Sequence, residues 1–183
     1  RLFLVNVGLR SPLYPLVSPP MGPLYLAAWL RDKFSLDIKI VNERLENQSF
    51  GEIGRMAAAF ESDIVGLSVM TPFAHGLPEM IAAVREAKPD AKIILGGPHV
   101  SAFGVSVLES NSADAAVAGE GERSMEMLLE AYLGDGDLSR IPGLMWRNAE
   151  GQVMVNPGHA PLIEDIDSIP FPAYDLIDIT QYW

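Results

Sequence analysis

Residues 92–101 read Lys-Ile-Ile-Leu-Gly-Gly-Pro-His-Val-Ser, and this stretch decides the fold. A short, continuous apolar run is typical of a strand that is covered on both faces. Gly96, Gly97 and Pro98 favour a turn directly after it, and a helical pattern follows over Val100–Asn111. The stretch therefore predicts a buried strand that leads into a helix across its carboxyl end.

The same succession recurs along residues 1–132 and predicts five strand–helix units. In the third helix, for example, Leu77, Met80, Ile81 and Val84 form an apolar stripe at helical spacing. We expect an α/β fold: a five-stranded parallel, doubly wound sheet (flavodoxin-like or Rossmann-like, order 2-1-3-4-5) with helices on both faces. The predicted strands are Leu2–Val7, Leu36–Val41, Ile64–Val69, Lys92–Leu95 and Ala115–Ala118; the predicted helices are Gly22–Phe34, Phe50–Phe60, Gly76–Ala87, Val100–Asn111 and Glu122–Tyr132.

The pattern changes after Gly134. Leu144–Arg147 and Gln152–Val155, separated by Asn148–Gly151, predict a C-terminal β-hairpin. The acidic stretch after Pro157 is interrupted by prolines and predicts an extended linker that wraps the domain or leads to another one. We therefore divide the chain into a ligand-binding domain (1–134), a hairpin appendage (135–160) and a linker (161–183).

Composition narrows the function. The 183 residues are 49% hydrophobic and carry a net charge of −11, so a nucleic-acid partner is not expected. The longest strongly apolar stretch, Leu24–Leu30, is too short for a membrane span. The chain has no cysteine, which excludes disulfides, thiolate metal sites and thiol nucleophiles and is consistent with a cytoplasmic protein.

The candidate ligand-binding residues follow the predicted strands. Ligands of open parallel sheets bind beyond the carboxyl ends of the strands, where glycines permit close approach and hydroxyl groups offer hydrogen bonds. Each feature also has a structural explanation: turn formation for Gly96-Gly97-Pro98, helix capping for the hydroxyls, dipole complementation for Glu120 and Glu122, and a loop hydrogen bond for His99. The candidates after the third, fourth and fifth strands are Ser68, Thr71, Gly96, Gly97, His99, Ser101, Gly119, Glu120 and Gly121.

Common ligands of such folds do not fit. A dinucleotide fingerprint requires G-x-G-x-x-G after the first strand, where the chain reads Gly-Leu-Arg-Ser-Pro (residues 8–12). No P-loop is present, and a phospho-accepting aspartate is absent from the end of the third strand. Ser11 and Ser18 among four prolines make a poor phosphate loop for a flavin.

Ser68-Val69-Met70, followed after 25 residues by Gly96-Gly97, resembles the S-x-L…G-G pair of cobalamin (vitamin B12)-binding domains. The resemblance is more specifically to the N-terminal domain of radical S-adenosylmethionine (SAM) proteins, a group that includes the anaerobic magnesium-protoporphyrin monomethyl ester cyclase and cobalamin-dependent methylases. It extends over residues 19–28, 66–68, 94–101, 119–122 and 166–175, which together span nearly the whole chain.

The resemblance implies a cobalamin carrier module, with the nucleotide tail of the cofactor in a crevice between these loops. It implies that Gly96 and Gly97 permit close approach, that Ser68, Thr71, His99 and Ser101 bond the tail, and that backbone groups of Gly119–Gly121, with Glu120, meet the corrin amides. Ser11 and Gly22, in and just after the first loop, complete the predicted set. A radical SAM barrel carrying a [4Fe-4S] cluster and SAM would follow in the parent protein, as the cofactor's partner in methyl transfer or oxidative ring formation.

Two departures limit what this chain does itself. Mutase-type domains carry D-x-H-x-x-G, whose histidine binds cobalt from below; here Pro19 takes its place in Val-Ser-Pro-Pro-Met-Gly (residues 17–22), which predicts a lower face without a histidine ligand. The C-x-x-x-C-x-x-C cluster motif is also absent, so we expect no radical chemistry and no catalytic residue in this domain. The alternatives are a cobalamin-free relic that acts as a docking domain, and a small-molecule enzyme using Glu120 or Glu122 with His99.

Overall fold

A single open sheet organises the chain. The structure, a computed structural model, describes residues 1–8, 17–134 and 136–182. The strands follow one another in the order β2-β1-β3-β4-β5-β6-β7, and the first five are parallel, which confirms the predicted order 2-1-3-4-5. They are β1 (Leu2–Val7), β2 (Ile38–Asn42), β3 (Ile64–Val69), β4 (Lys92–Gly96), β5 (Ala115–Ala116), β6 (Met145–Arg147) and β7 (Val153–Val155).

Helices cover both faces of the sheet, as predicted for the α/β class. Phe3, Val65 and Ile93 face α3 and α4, whereas their neighbours Leu4 and Ile94 face α1 and α7, because successive side chains of a strand point to opposite faces. None of the described helices is long and apolar enough to cross a bilayer. They are α1 (Met21–Arg31), α2 (Glu43–Glu46), α3 (Phe50–Ala59), α4 (Leu77–Ala87), α5 (Pro98–Phe103), α6 (Val105–Glu109) and α7 (Glu122–Leu133).

Several predicted elements differ in detail. The strand predicted over Ala115–Ala118, for example, is limited to Ala115–Ala116. The helix expected over Val100–Asn111 is divided into α5 and α6, because Gly104 between them has a φ of 57°, which a right-handed helix does not accept. The hairpin forms as predicted, and β6 also pairs antiparallel with β5, so that Ala115 lies opposite Trp146. The sheet thus has seven strands rather than five.

The C-terminal segment lies against the domain. The Ala173 amide donates to the carbonyl of Leu24 in α1 at 3.2 Å, and the Ala173 side chain is fully buried. Arg31 of the same helix pairs with the Asp175 carboxylate at 2.8 Å. The predicted linker therefore packs along α1; its role as a connector to a further domain stays a prediction.

Candidate cofactor-binding site

A cavity of about 260 Å³ lies between the sheet, α1 and α7 and reaches the carboxyl edge of the strands. Three strands form its floor, and the starts of the two helices form its walls. Most of the lining side chains are apolar or are glycines; the residues are Leu4, Gly22, Pro23, Leu26, Gly66, Leu67, Ser68, Ile94, Leu95, Gly96, Gly97, Val117, Gly119, Glu120, Gly121, Glu122 and Met125.

Gly66 lies in the floor of the cavity. It lies in β3 between Leu4 of β1 and Ile94 of β4, which are its register partners on the two neighbouring strands. A side chain here would be crowded, because a Cβ on Gly66 would approach Leu4 Cδ2 to 2.7 Å. The Leu4 side chain thus occupies the space beside Gly66, and a larger residue in β3 would displace it.

The glycines at the outer end of the cavity have open space in front of them. Cβ atoms built on Gly22, the second residue of α1, and on Gly121, directly before α7, meet no described atom within 4 Å. At Gly96 the nearest atom, the carbonyl oxygen of Val117, is 3.9 Å away. Packing within the described chain does not require a glycine at these three positions, so the space that they leave is available to a ligand.

Gly97 is a glycine for a different reason. Its φ of 90° lies in the region that side chains disfavour, and a Cβ would come within 3.0 Å of Val69 and of Ser68 Oγ. The turn after β4 thereby packs directly on the end of β3. This close approach brings Ser68 and Gly96, which are paired in the sheet, to one rim of the cavity.

Ser101 joins the loops after β4 and β5. Its hydroxyl accepts a hydrogen bond from the Gly119 amide at 2.9 Å and donates one to the Gly97 carbonyl at 3.2 Å. Thr71 and His99 form a second link, with 3.3 Å between Oγ1 and Nδ1, and the His99 ring packs against Phe103 at 4.7 Å between centroids. These hydrogen bonds hold the loops that carry the rim glycines.

The C-terminal segment reaches the same rim. The Glu120 carboxylate accepts a hydrogen bond from the Ile163 amide at 3.1 Å, and a Cβ on Gly119 would lie 3.8 Å from that of Ala160. Glu122 begins α7, where a negative charge complements the helix dipole, as its structural explanation requires. Glu120 instead binds the segment that packs along α1.

Seven of the eleven predicted site residues line the cavity: Gly22, Ser68, Gly96, Gly97, Gly119, Glu120 and Gly121. Thr71, His99 and Ser101 are not among the described lining residues and connect the loops instead, so their contact with a cofactor stays a prediction. Ser11 lies outside the described residues.

The prediction omitted most of the apolar wall, including Gly66, Ile94, Leu26 and Met125. Two of these were accessible from the pattern. Gly66 precedes Ser68 by two residues and Ile94 precedes Gly96 by two, so each shares a face of the sheet with a predicted site residue. Phe73 and Phe103, the bulky residues closest in sequence to these loops, are not among the described lining residues.

A buried carboxyl group lies at the same edge, beyond β2. Glu43 is 2% exposed; its Oε2 accepts a hydrogen bond from the Gly8 amide at 2.9 Å, and its Oε1 has no hydrogen-bond partner among the described residues. Burial raises the pKa of Glu43 to about 7, an effect that the Gly8 hydrogen bond partly opposes. Gly8 lies against the side chain of Arg44, which a Cβ on Gly8 would overlap.

The fold is an open-sheet α/β domain with a cavity at the carboxyl edge of its strands, the place where such sheets bind their ligands. The B12 binding domain family matches residues 14–129, well over half of the sequence, and this chain belongs to that family. An uncharacterized methyltransferase of Pyrococcus horikoshii is 32% identical over 166 residues, which cover 90% of this chain and 35% of the relative. The anaerobic magnesium-protoporphyrin IX monomethyl ester cyclase of Rubrivivax gelatinosus is 29% identical over 170 residues, 90% of this chain and 30% of the cyclase.

Solved structures share the fold. The cobalamin-dependent SAM radical enzyme OxsB, with aqua-cobalamin and SAM bound, superposes with a TM-score of 0.79 at 19% identity, over 96% of this chain and 24% of OxsB. The radical SAM methyltransferase TsrM from Kitasatospora setae, with cobalamin and a [4Fe-4S] cluster bound, gives 0.73 at 23% identity, over 85% of this chain and 30% of TsrM. The chain thus spans about a third or less of the length of the proteins that it matches.

Proposed function

We propose that this domain binds cobalamin as the carrier module of a radical SAM enzyme that performs methyl transfer or oxidative ring formation. The observation that carries the proposal is the glycine-rimmed apolar cavity at the carboxyl edge of a chain that belongs to the B12-binding family. The relatives named as a methyltransferase and as a cyclase support the two reaction classes. The chain itself contributes binding and positioning.

The residues present fit part of such a cofactor rather than the whole of it. Small-molecule sites typically enclose roughly 300–1,000 Å³. The cavity of about 260 Å³ is too small for a corrin ring with its amide side chains, but its flat apolar interior suits the bicyclic base of the nucleotide tail. The open space in front of Gly22, Gly96 and Gly121 suits a ligand that enters from the strand edge.

The residues at the rim have distinct roles in this proposal. Ser68 offers a hydroxyl group at the cavity wall, and the exposed backbone at Gly96 and at Gly119–Gly121 offers amides and carbonyls to the polar periphery of the cofactor. Ser101 and the Thr71–His99 pair connect these loops, and we expect the three side chains to bond the nucleotide tail as well. Pro19 has no lone pair for a metal, so we expect cobalt to have no histidine ligand from this loop.

When bound, cobalamin supplies a cobalt centre able to carry a methyl group or to change its redox state. The iron–sulfur cluster and SAM would belong to a separate barrel of the parent protein, since this chain has no cysteine with which to bind a cluster. The domain alone is therefore expected to bind cobalamin without catalysing a reaction.

A titration with hydroxocobalamin tests the proposal. We expect the visible spectrum of the cofactor to change to a form in which the base has left the cobalt. Gly22→Leu should weaken binding at least about tenfold, because its side chain projects into the space that the ligand needs, which corresponds to about 1.4 kcal/mol.

Gly51→Leu is the matched control. Gly51 is the second residue of α3, as Gly22 is of α1, and a Cβ on Gly51 meets only the end of the Arg55 side chain, at 3.6 Å. Both variants should fold, and only Gly22→Leu should lose affinity. A wild-type chain that leaves the spectrum unchanged up to high micromolar cofactor would instead support the docking-domain alternative.

A further inference from the structure

We infer that the cavity selects among cobamides by their lower base, accepting a benzimidazole and discriminating against a purine. The inference rests on the proposed function, because it assigns the base of the nucleotide tail to this cavity. It goes further by naming the class of cofactor and the side chains that determine the choice, Leu26 of α1 and Met125 of α7.

The polar side chains of the cavity are all at one end. Among the described lining residues, those with side-chain oxygen or nitrogen atoms are Ser68, Glu120 and Glu122. Ser68 ends near the carboxyl edge of β3, and the two glutamates flank the start of α7. The carboxylate of Glu120 already accepts a hydrogen bond from the Ile163 amide.

The inner end of the cavity is apolar. The floor extends from the paired residues Ser68 and Gly96 back to the row of Leu4, Gly66 and Ile94, which lies two positions earlier in the strands. Two residues of a parallel strand span roughly 7 Å, about the length of a bicyclic base. The distal edge of a base that enters from the strand ends would therefore lie among aliphatic side chains.

The nearest carboxylate in α7 beyond the mouth is already engaged. Glu126, next to Met125, accepts a hydrogen bond from Trp29 Nε1 at 2.9 Å and pairs with Lys33 and Arg123 at 3.4 and 3.2 Å. It is not free to pair with a ligand amine. Leu26 and Met125 face the cavity from opposite helices and offer only carbon and a thioether sulfur, a weak acceptor.

These surroundings favour one type of base. The distal edge of dimethylbenzimidazole is a benzene ring with two methyl groups, which apolar walls accept without loss. The distal edge of adenine carries an amine and ring nitrogens, and burying such groups without partners lowers affinity by about tenfold to a hundredfold. We therefore expect cobalamin to bind at least about tenfold more tightly than the cobamide that carries adenine.

The experiment compares three probes on the same 183-residue chain by visible spectroscopy and calorimetry: hydroxocobalamin, the adenine-containing cobamide, and cobinamide, which lacks the nucleotide tail. Tight binding of cobalamin with weak binding of the other two supports the inference. Equal affinities for the benzimidazole and adenine forms overturn it and leave the proposed function intact. Cobinamide binding as tightly as cobalamin also overturns it, because the base then contributes nothing. Failure of all three to bind removes the proposed function as well.

Leu26→Gln tests the assigned wall directly. An amide at this half-buried position offers both a donor and an acceptor to a purine, and we expect the preference for benzimidazole to decrease at least about threefold. Leu133→Gln makes the same change at the end of α7, where the side chain is 67% exposed and outside the cavity lining. An unchanged preference in a folded Leu26→Gln variant contradicts the role of Leu26.

Discussion

The two faces of the sheet use glycine in opposite ways. On the face covered by α3 and α4, Gly54 of α3 lies directly against the backbone of α4, and a Cβ there would overlap the carbonyl of Ala83. On the face covered by α1 and α7, Gly22 and Gly121 face open space. Core side chains fill both faces, but on the face covered by α1 and α7 a cavity remains beside them at the carboxyl edge and forgoes packing contacts there. A void retained beside a filled core indicates a place for a ligand.

Buried polar groups do not follow this division. Ser62, buried beyond the end of α3, donates its hydroxyl hydrogen to the Ala57 carbonyl at 2.8 Å. Within the described part of the chain, no hydrogen-bond partner is found for the hydroxyl of the buried Ser124 in α7, for one oxygen of Glu43 at the carboxyl edge, or for the side-chain oxygen of Asn111 after α6. Unsatisfied polar groups therefore occur beside both faces of the sheet and do not by themselves mark a ligand site.

The largest expected effect is a loss of stability on substituting Gly54, where α3 and α4 touch. Gly54→Val places a branched side chain where two helix backbones touch, so α3 and α4 must separate, and we expect a loss of roughly 3–4 kcal/mol in the free energy of unfolding. Chemical denaturation measures the loss. Gly51→Val, three residues earlier at an exposed position of α3, is the control and should change the free energy of unfolding by less than about 0.5 kcal/mol. Similar losses in both variants would mean that the helices do not touch at Gly54.

The next effect concerns the carboxyl edge. In the folded chain burial raises the pKa of Glu43 from 4.5 to about 7. Between these values the unfolded chain loses its proton while the folded chain keeps it, so the Glu43 contribution to stability falls as the pH rises and levels off above about 7. Glu43→Gln cannot ionise and retains an acceptor for the Gly8 amide. Its stability relative to the wild type should therefore increase by roughly 2–3 kcal/mol between pH 4.5 and pH 8.

Unfolding curves at several pH values test this expectation. Glu86→Gln, on the exposed side of α4, is the matched control and should follow the wild type throughout. Parallel pH profiles for Glu43→Gln and the wild type would show that Glu43 keeps an ordinary pKa in the folded chain. Glu43 would then be buried as a charged carboxylate rather than as a neutral carboxylic acid.

The same contrast separates what the sequence predicts from what it does not. The strands and the rim glycines follow from local patterns, because continuous apolar runs and the residues just after them identify the carboxyl edge. The strand order 2-1-3-4-5 was instead a choice among the orders that doubly wound sheets adopt. The break at Gly104 was visible as a glycine inside a helical pattern, but only its φ of 57° distinguishes a break from a tolerated residue. Pairing of β6 with β5 depends on tertiary contact, which no local pattern reports.

The sequence also does not show why a glycine stands at each of these positions. Gly54, Gly66, Gly97 and Gly22 are chemically identical, yet the first three exclude a side chain through contact or backbone angle and the fourth does not. Only the surroundings of each Cβ position reveal this difference. The apolar wall was omitted for a similar reason, since Leu26 and Met125 belong to helical stripes that are indistinguishable from ordinary core.

The smallest expected effect is a change in stability on substituting Gly22, at the cavity side of the sheet. Gly22→Ala adds a methyl group that meets no described atom, in a helix where alanine is favoured over glycine. We expect a gain of about 0.5 kcal/mol, or about 1–2 °C in the melting temperature of the ligand-free chain. The methyl group also takes space from the cavity, so the additional rise in melting temperature caused by cobalamin should be smaller than in the wild type. A variant that is more stable alone and less stabilised by the cofactor would show that Gly22 serves binding rather than folding. A loss of stability in the free chain would instead show that Gly22, like Gly54, is required for packing.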